Sequence, residues 1–497
     1  MSPNLFALLP EIVLTIAGVL VMVAEPLLPA QSSRKPLGWL AILGTALSAV
    51  AAFIQHRAVD AAGAPMMGFY RTIQIDNLSV FFHLLIASIV LVVLLASLDY
   101  FEGPVSHAGE YYALLCFGAT GMMLMSCSVE LLMVFIGLEI SSISTYILAG
   151  FRKGQATASE SALKYFLLGS FATAFTLYGI ALAFGATGST SIAVLATMLH
   201  SSNTPLIARL AVAMMLIGMG FKVSAAPFHV WTPDVYQGAP SPVVAMMSTA
   251  PKAAVYAVLL RLLFNGAPQL RGEWLVLIQF FAVLSMFIGN LGALLQKDVK
   301  RMLAYSSIAH AGYLLTAFAS FQQDAVAAAC FYTAAYASMN VGAFLVLTQL
   351  TGYNENLRTL NDYTGVARKR PLLSALLGFF LLSMIGIPFT AGFFAKFYAF
   401  SAALRGGFSW LVILGLLNSG FACFYYLRLL IALYSSPASE IAEPSSTRPS
   451  IAATLALAAC ALATVGLGIM PGRLLHLLQR SAPITLQEQP GNSASLQ

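Results

Sequence analysis

The sequence predicts an all-α integral membrane protein of about fourteen transmembrane helices. Three observations carry that prediction. Of the 497 residues, 59% are hydrophobic and 9% are charged, against about 25% charged in a soluble domain. The polar side chains are too few to cover a water-facing surface of this size. The apolar residues gather into runs near the ~20 residues that a helix needs to cross the hydrocarbon core. The basic residues stand singly or in short clusters between those runs, as orientation signals do. Despite a net charge of +6, they form no stripe that would suggest nucleic acid.

The runs place spans at 4–24, 37–56, 74–98, 111–129, 131–150, 160–185, 206–226, 240–264, 274–295, 301–320, 325–350, 373–399, 408–434 and 450–470, with a polar tail from about 481. No basic n-region precedes the first run, and the first basic residue is Arg34. That run is therefore expected to be a retained helix rather than a cleaved signal. Loops after odd-numbered spans hold Arg34, Lys35, Arg152, Lys153, Lys297, Lys300, Arg301, Arg358, Arg368, Lys369, Arg370 and Arg448. The other side holds Arg57, Arg71, Arg209, Arg261, Arg271, Arg405, Arg473 and Arg480. The richer side is expected to be cytoplasmic, which puts both termini outside. The five cysteines, Cys116, Cys127, Cys330, Cys423 and Cys460, lie in apolar runs without a CxxC pair. Neither a metal cluster nor a disulfide framework is expected from that spacing.

Five basic residues fall inside spans: Lys164, Lys222, Lys252, Lys396 and Arg428. A charge at mid-bilayer costs about 2.5–3.5 kcal/mol on insertion scales, so such groups face a protein interior or a wet cavity. Burial disfavours the charged form of lysine, and a series of such groups can take up and release protons. Glu139 is the one acid read as lying deep in a span, and it is the natural partner of these bases. Lys222 stands just before Pro227, and Lys396 follows Pro388. Proline breaks a helix, and broken helices in membranes line cavities and ion sites. The recurrence of proline with lysine suggests two related halves. Lys252 and Lys164 lie within about two turns of span ends, where snorkelling competes with a relay role. His229 and His310 are further relay candidates. A lone buried histidine such as His83 is more often a hydrogen-bonded core group, and Arg428 cannot readily release a proton. No nucleotide or cofactor fingerprint is present, so the chain is expected to supply translocation and no redox centre.

Three long motifs then become informative together: PFHVWTPDVYQGAPSPVVAMMSTAPKAAVY (227–256), KDVKRMLAYSSIAHAGY (297–313) and IPFTAGFFAKFYAF (387–400). They resemble the antiporter-like membrane subunits of proton-pumping NADH:quinone oxidoreductase, respiratory complex I, and SALKYFLLGSFATAFTLYGIAL (161–182) supports this. The resemblance covers roughly 100 to 450. It implies two inverted five-helix repeats, 111–264 and 274–434, each with a broken helix. An N-terminal three-helix segment, 1–110, precedes them, and a C-terminal helix with polar tail, 450–497, follows. It places the family's proton-channel residues on Glu139, Lys222, Lys252 and Lys396, with His229 and His310 at matching polar positions. It implies other complex I membrane subunits, neighbouring antiporter-like subunits among them, as partners in a bacterial inner membrane. NADH, FMN, iron–sulfur clusters and quinone are expected in those other subunits, and no cofactor or metal in this chain. Within the family, a lysine at the second break and the lack of a long lateral helix after the last span favour one particular subunit. The alternative is a stand-alone cation/proton antiporter of the related Mrp-like class.

Overall fold

The computed structural model describes residues 3–29, 32–101, 107–199, 206–321, 323–436, 444–445 and 449–479. Arg448, Arg480 and the polar tail lie outside these. The helices are α1 (Pro3–Ala7), α2 (Leu9–Ala24), α3 (Lys35–Ala62), α4 (Asn77–Ser97), α5 (Ala108–Cys127), α6 (Leu131–Ala149), α7 (Ala156–Thr187), α8 (Ile192–Leu199), α9 (Leu206–Lys222), α10 (Trp231–Gly238), α11 (Ser241–Met247), α12 (Ala250–Arg261), α13 (Arg271–Leu295), α14 (Val299–Thr316), α15 (Gln323–Thr351), α16 (Val366–Lys369), α17 (Pro371–Ile385), α18 (Ala391–Arg405), α19 (Ser409–Tyr434), α20 (Ile451–Ile469) and α21 (Pro471–Gln479).

Among the described residues, ten helical segments are long and apolar enough to cross a membrane. Every predicted span contains helix. The difference from fourteen comes from helices that are shorter, more polar or interrupted. The 206–226 run stops at Lys222, and 373–399 divides into α17 and α18. The 240–264 run divides as well, at Ser248 and Thr249, an interruption the sequence reading did not place.

The expectation of an all-α chain meets one small exception. Residues Met66–Gly68 and Ile73–Ile75 pair as an antiparallel hairpin, β1 and β2, with Met66 opposite Ile75. The span expected from 74 therefore begins as helix only at Asn77. Asp76 starts it, accepting the Ser79 amide at 2.8 Å while Ser79 Oγ accepts the Asp76 amide at 2.9 Å, a reciprocal cap.

Helices meet where small residues let backbones approach, the usual solution where hydrocarbon is the solvent. A Cβ on Gly121 of α5 would lie 2.6 Å from the Gly137 carbonyl oxygen of α6, and one on Gly137 would lie 2.8 Å from that of Gly121. This contact fixes the height of α6, and with it Glu139. Large apolar side chains such as Phe171, Leu417 and Leu462 project from α7, α19 and α20, exposed as lipid-facing residues are. The α11–α12 segment and most of α15 are instead buried, and they carry Lys252 and Tyr332, two of the polar groups described next.

Candidate functional site

Lys222 ends α9. Ser224 takes a left-handed φ of 62°, and Pro227 has no amide to donate. The amide of Ala226 donates instead to Ser285 Oγ at 2.8 Å, and the Trp231 indole donates to the Phe221 carbonyl at 3.0 Å. A helix end has orphan carbonyls and partial negative charge, so it suits a cation. Lys222 Nζ donates to Ser142 Oγ at 2.7 Å and Tyr146 OH at 3.3 Å. It also lies over the Tyr146 and Tyr165 rings, 5.0 and 5.4 Å from their centroids. Glu139, Ser142 and Tyr146 share one face of α6 by their spacing. Glu139 thus stands one turn from the hydroxyl that holds Lys222. Its Oε1 is buried without a hydrogen-bond partner, and no direct ion pair joins it to Lys222 among the described residues.

Lys252 lies in the first turn of α12, just after the interruption at Ser248 and Thr249. Snorkelling does not apply to it: only 3% of the residue is exposed, and α11–α12 places it midway along a buried span. Its Nζ donates to Ser307 Oγ of α14 at 2.6 Å. Ser306, Ser307 and His310 follow one another along α14. His310 Nδ1 is 2.8 Å from Tyr332 OH and its Nε2 is 3.3 Å from Tyr426 OH. Tyr426 also hydrogen-bonds Ser306. His310 stands within electrostatic reach of both Lys252 and Lys396.

Lys396, in the second turn of α18, closes the series. Its Nζ donates to the Ile385 carbonyl at 2.8 Å and to Ser419 Oγ at 2.7 Å, and it lies 5.0 Å from the Tyr313 ring centroid. Tyr313 OH accepts from Asn290 at 2.9 Å, and Asn290 also reaches Asn418 at 3.3 Å. The fold thus joins Lys222, Lys252, His310 and Lys396 to buried hydroxyls across helices from both halves of the chain, with Glu139 one turn from Ser142 on α6. Amines, imidazole and hydroxyls in such a series can each give and accept a proton.

Two candidates are placed apart from this series. Lys164 is part-exposed and pairs with Glu160 and Asp234, each at 2.7 Å, while Asp234 also binds Arg301. His229 lies in the break after α9, and its Nδ1 has no hydrogen-bond partner.

The sequence reading missed Glu355. It is 4% exposed and pairs with Arg152 and Lys300, each at 2.8 Å. It also accepts from the Ser241 amide and hydroxyl, at 2.8 and 2.7 Å. Burial pushes its carboxyl up, but Lys300 and Arg152 outweigh that and hold it below the usual carboxylate range. The group borders a cavity of about 40 Å³ that Asp298 and Arg358 also line, space enough for ordered water. Arg152 and Lys300 had registered only as orientation charges. Nothing in the sequence marks Glu355 as their partner, since the three are far apart along the chain.

A fold with three interrupted helical runs and a buried lysine beside each, Lys222, Lys252 and Lys396, points to an antiporter-type membrane protein. The NADH:quinone oxidoreductase/Mrp antiporter transmembrane family matches residues 128–422, and the chain belongs to that family. Within it, the chain is similar over nearly its full length to proteins named subunit N, the one subunit that the lysine at the second break favours. The chain is 51% identical to NADH-quinone oxidoreductase subunit N 2 of Koribacter versatilis (strain Ellin345), over 96% of both sequences. It is 44% identical to subunit N 1 of Solibacter usitatus (strain Ellin6076), over 95% of this chain and 96% of that one. Among solved structures it is similar to a chain of respiratory complex I from Thermus thermophilus with bound aureothin. The TM-score is 0.79 at 34% identity, covering 95% of this chain and 100% of the other.

Proposed function

We propose that this chain is a proton-translocating membrane subunit of a NADH:quinone oxidoreductase. The observation that carries the proposal is the buried series Lys222, Lys252, His310 and Lys396, each held by hydroxyl or carbonyl groups and spread over both halves of the fold. Near-full-length identity to proteins named as subunit N supports the same reading. NADH, FMN, iron–sulfur clusters and quinone belong to other subunits, and this chain moves protons while they carry electrons. Its partners are the other membrane subunits, including neighbouring antiporter-like ones. It resides in the bacterial inner membrane with both termini outside. Residues 111–264 and 274–434 act as two inverted repeats, a division supported by the breaks after Lys222 and before Lys396.

Protons enter near Lys222 from the cytoplasmic side, pass Lys252 and His310, and leave outward from Lys396. Glu139 sets the occupancy of Lys222. When carboxylate and ammonium approach, the charged lysine is stabilised; when they separate, desolvation releases its proton. In this structure Lys222 rests on Ser142 and Tyr146, an arrangement close to Glu139 but not paired with it. Approach of the Glu139 carboxylate to Lys222 therefore separates the two states. Neighbouring subunits supply the trigger.

The test is transport by membranes that carry or lack this chain, with assembly verified. Loss of NADH-driven proton pumping in its absence, with no sodium or potassium transport by the purified chain in liposomes, is expected. Cation exchange by the chain alone would instead establish a stand-alone antiporter.

A further inference from the structure

Away from the lysine series, three ligand-type side chains meet among the first helices. Glu11 lies in the first turn of α2, His83 in the second turn of α4, and Cys127 is the last residue of α5. Their exposures are 3%, 0% and 0%, and their ligating atoms all lie within 4.8 Å of one another. Glu11 Oε1 is 3.3 Å from His83 Nε2 and 3.5 Å from Cys127 Sγ. His83 Nε2 is also 3.2 Å from the Met123 carbonyl oxygen. Two atoms of the group, Glu11 Oε2 and His83 Nδ1, are buried without a hydrogen-bond partner. An unpartnered buried carboxylate oxygen is costly and calls for an explanation, an ion among them.

The spacing suits an ion. Zinc bonds of ~2.0 Å to nitrogen or oxygen and ~2.3 Å to sulfur, in tetrahedral geometry, set N and O ligands ~3.3 Å apart and S and O ligands ~3.5 Å apart. Those are the two separations around Glu11 Oε1. The charges suit it as well. A divalent cation with one carboxylate, one thiolate and one neutral imidazole sums to zero, the least costly form to bury. The nearby charge is already matched: Arg261, 2% exposed, donates to Asp76 at 2.9 and 2.7 Å and to the Ser126 carbonyl at 3.0 Å. The site also has a cover. Ile73 of the hairpin bridges Ser128, the neighbour of Cys127, and Ile75, Val59, Val80 and Ala7 cluster with Cys127.

We propose that Glu11, His83 and Cys127 form a binding site for a thiophilic divalent cation such as Zn²⁺, which ties α2, α4 and α5 together under the β1–β2 hairpin. Three protein ligands leave a fourth position for water, and Glu11 Oε2 can chelate. On binding, the cation replaces the Cys127 thiol proton, which passes to solvent as the sulfur–metal bond forms. It also takes the Nε2 lone pair of neutral His83, whose ring proton then sits on Nδ1 and whose contact with the Met123 carbonyl is given up.

The experiment uses the purified full chain, stripped with a chelator and titrated with Zn²⁺ alone or Co²⁺ alone. One equivalent of Zn²⁺ is expected to bind, and Co²⁺ to give a thiolate charge-transfer absorption that Zn²⁺ abolishes. Both are lost in Cys127→Ser, and Glu11→Gln weakens binding by at least about tenfold. Absence of that absorption in the wild-type chain overturns the site, and this arm stands even if Cys127→Ser fails to fold. Undiminished zinc binding by folded Cys127→Ser and Glu11→Gln proteins overturns it too.

Discussion

Lys396 Nζ lies 2.8 Å from the carbonyl oxygen of Ile385, the last residue of the half-helix before its own. The break at Gly386–Thr390 strips α17 of its continuing hydrogen bonds, and the lysine supplies one of the missing donors. One side chain thereby serves the fold, by capping α17, and in the proposed relay it also holds a proton at the break.

Those two roles separate by substitution. Lys396→Arg retains a cationic cap but cannot readily release a proton. It is expected to assemble normally and to lower NADH-driven pumping by about 10²-fold or more, the scale of a lost acid–base group. Native gels and pumping assays on the same membranes check this. Wild-type pumping by Lys396→Arg would assign the residue to capping alone.

Ser307 is the hydroxyl that holds Lys252, at 2.6 Å. Ser307→Ala leaves a buried ammonium without that acceptor, at a cost of about 1–3 kcal/mol. A lower melting temperature and slower pumping are expected, with both restored in Ser307→Thr.

Gly386 has a φ of 97°, where a side chain is strained by about 1–2 kcal/mol. A Cβ there would lie 3.5 Å from Lys396 Cδ, an ordinary contact. Gly386→Ala is therefore expected to destabilise through backbone strain by about that amount without displacing the lysine, measurable as a reduced denaturation midpoint with pumping retained.

Glu355 makes a stability contribution that depends on acid. Its folded carboxyl is held below the usual range by Lys300 and Arg152. The stabilisation is present above the unfolded value of about 4.3 and disappears as pH falls through the lower, folded value. Glu355→Gln breaks a buried ion cluster and should cost about 3–5 kcal/mol at neutral pH. Melting temperatures of the two proteins are expected to converge as pH drops below about 4.3; a constant gap would contradict the assignment.

The helices that were legible in sequence had long, uninterrupted apolar runs. The run at 131–150 corresponds to α6, Leu131–Ala149, because nothing within it competes with helix. The breaks near Lys222 and Lys396 were legible from Pro227 and Pro388. The hairpin was not, since three-residue strands carry too little alternation. Lys252 looked close to an interface because depth depends on how α11 and α12 continue one another. The hydroxyl partners Ser142, Ser307, Tyr332 and Tyr426 gave no signal, as uncharged residues are ordinary in such helices. Glu11 went unnoticed as a buried acid, though it is 3% exposed. The expectation of no metal rested on cysteine spacing, which does not register residues such as Glu11, His83 and Cys127 that three separate helices bring together.

The most direct measurement is NADH-driven proton pumping in membranes carrying Lys222→Ala, with assembly confirmed on a native gel. An assembled complex that no longer pumps normally is expected, because the amine that Ser142 and Tyr146 hold is gone. Wild-type pumping by the assembled variant would contradict a proton route through Lys222.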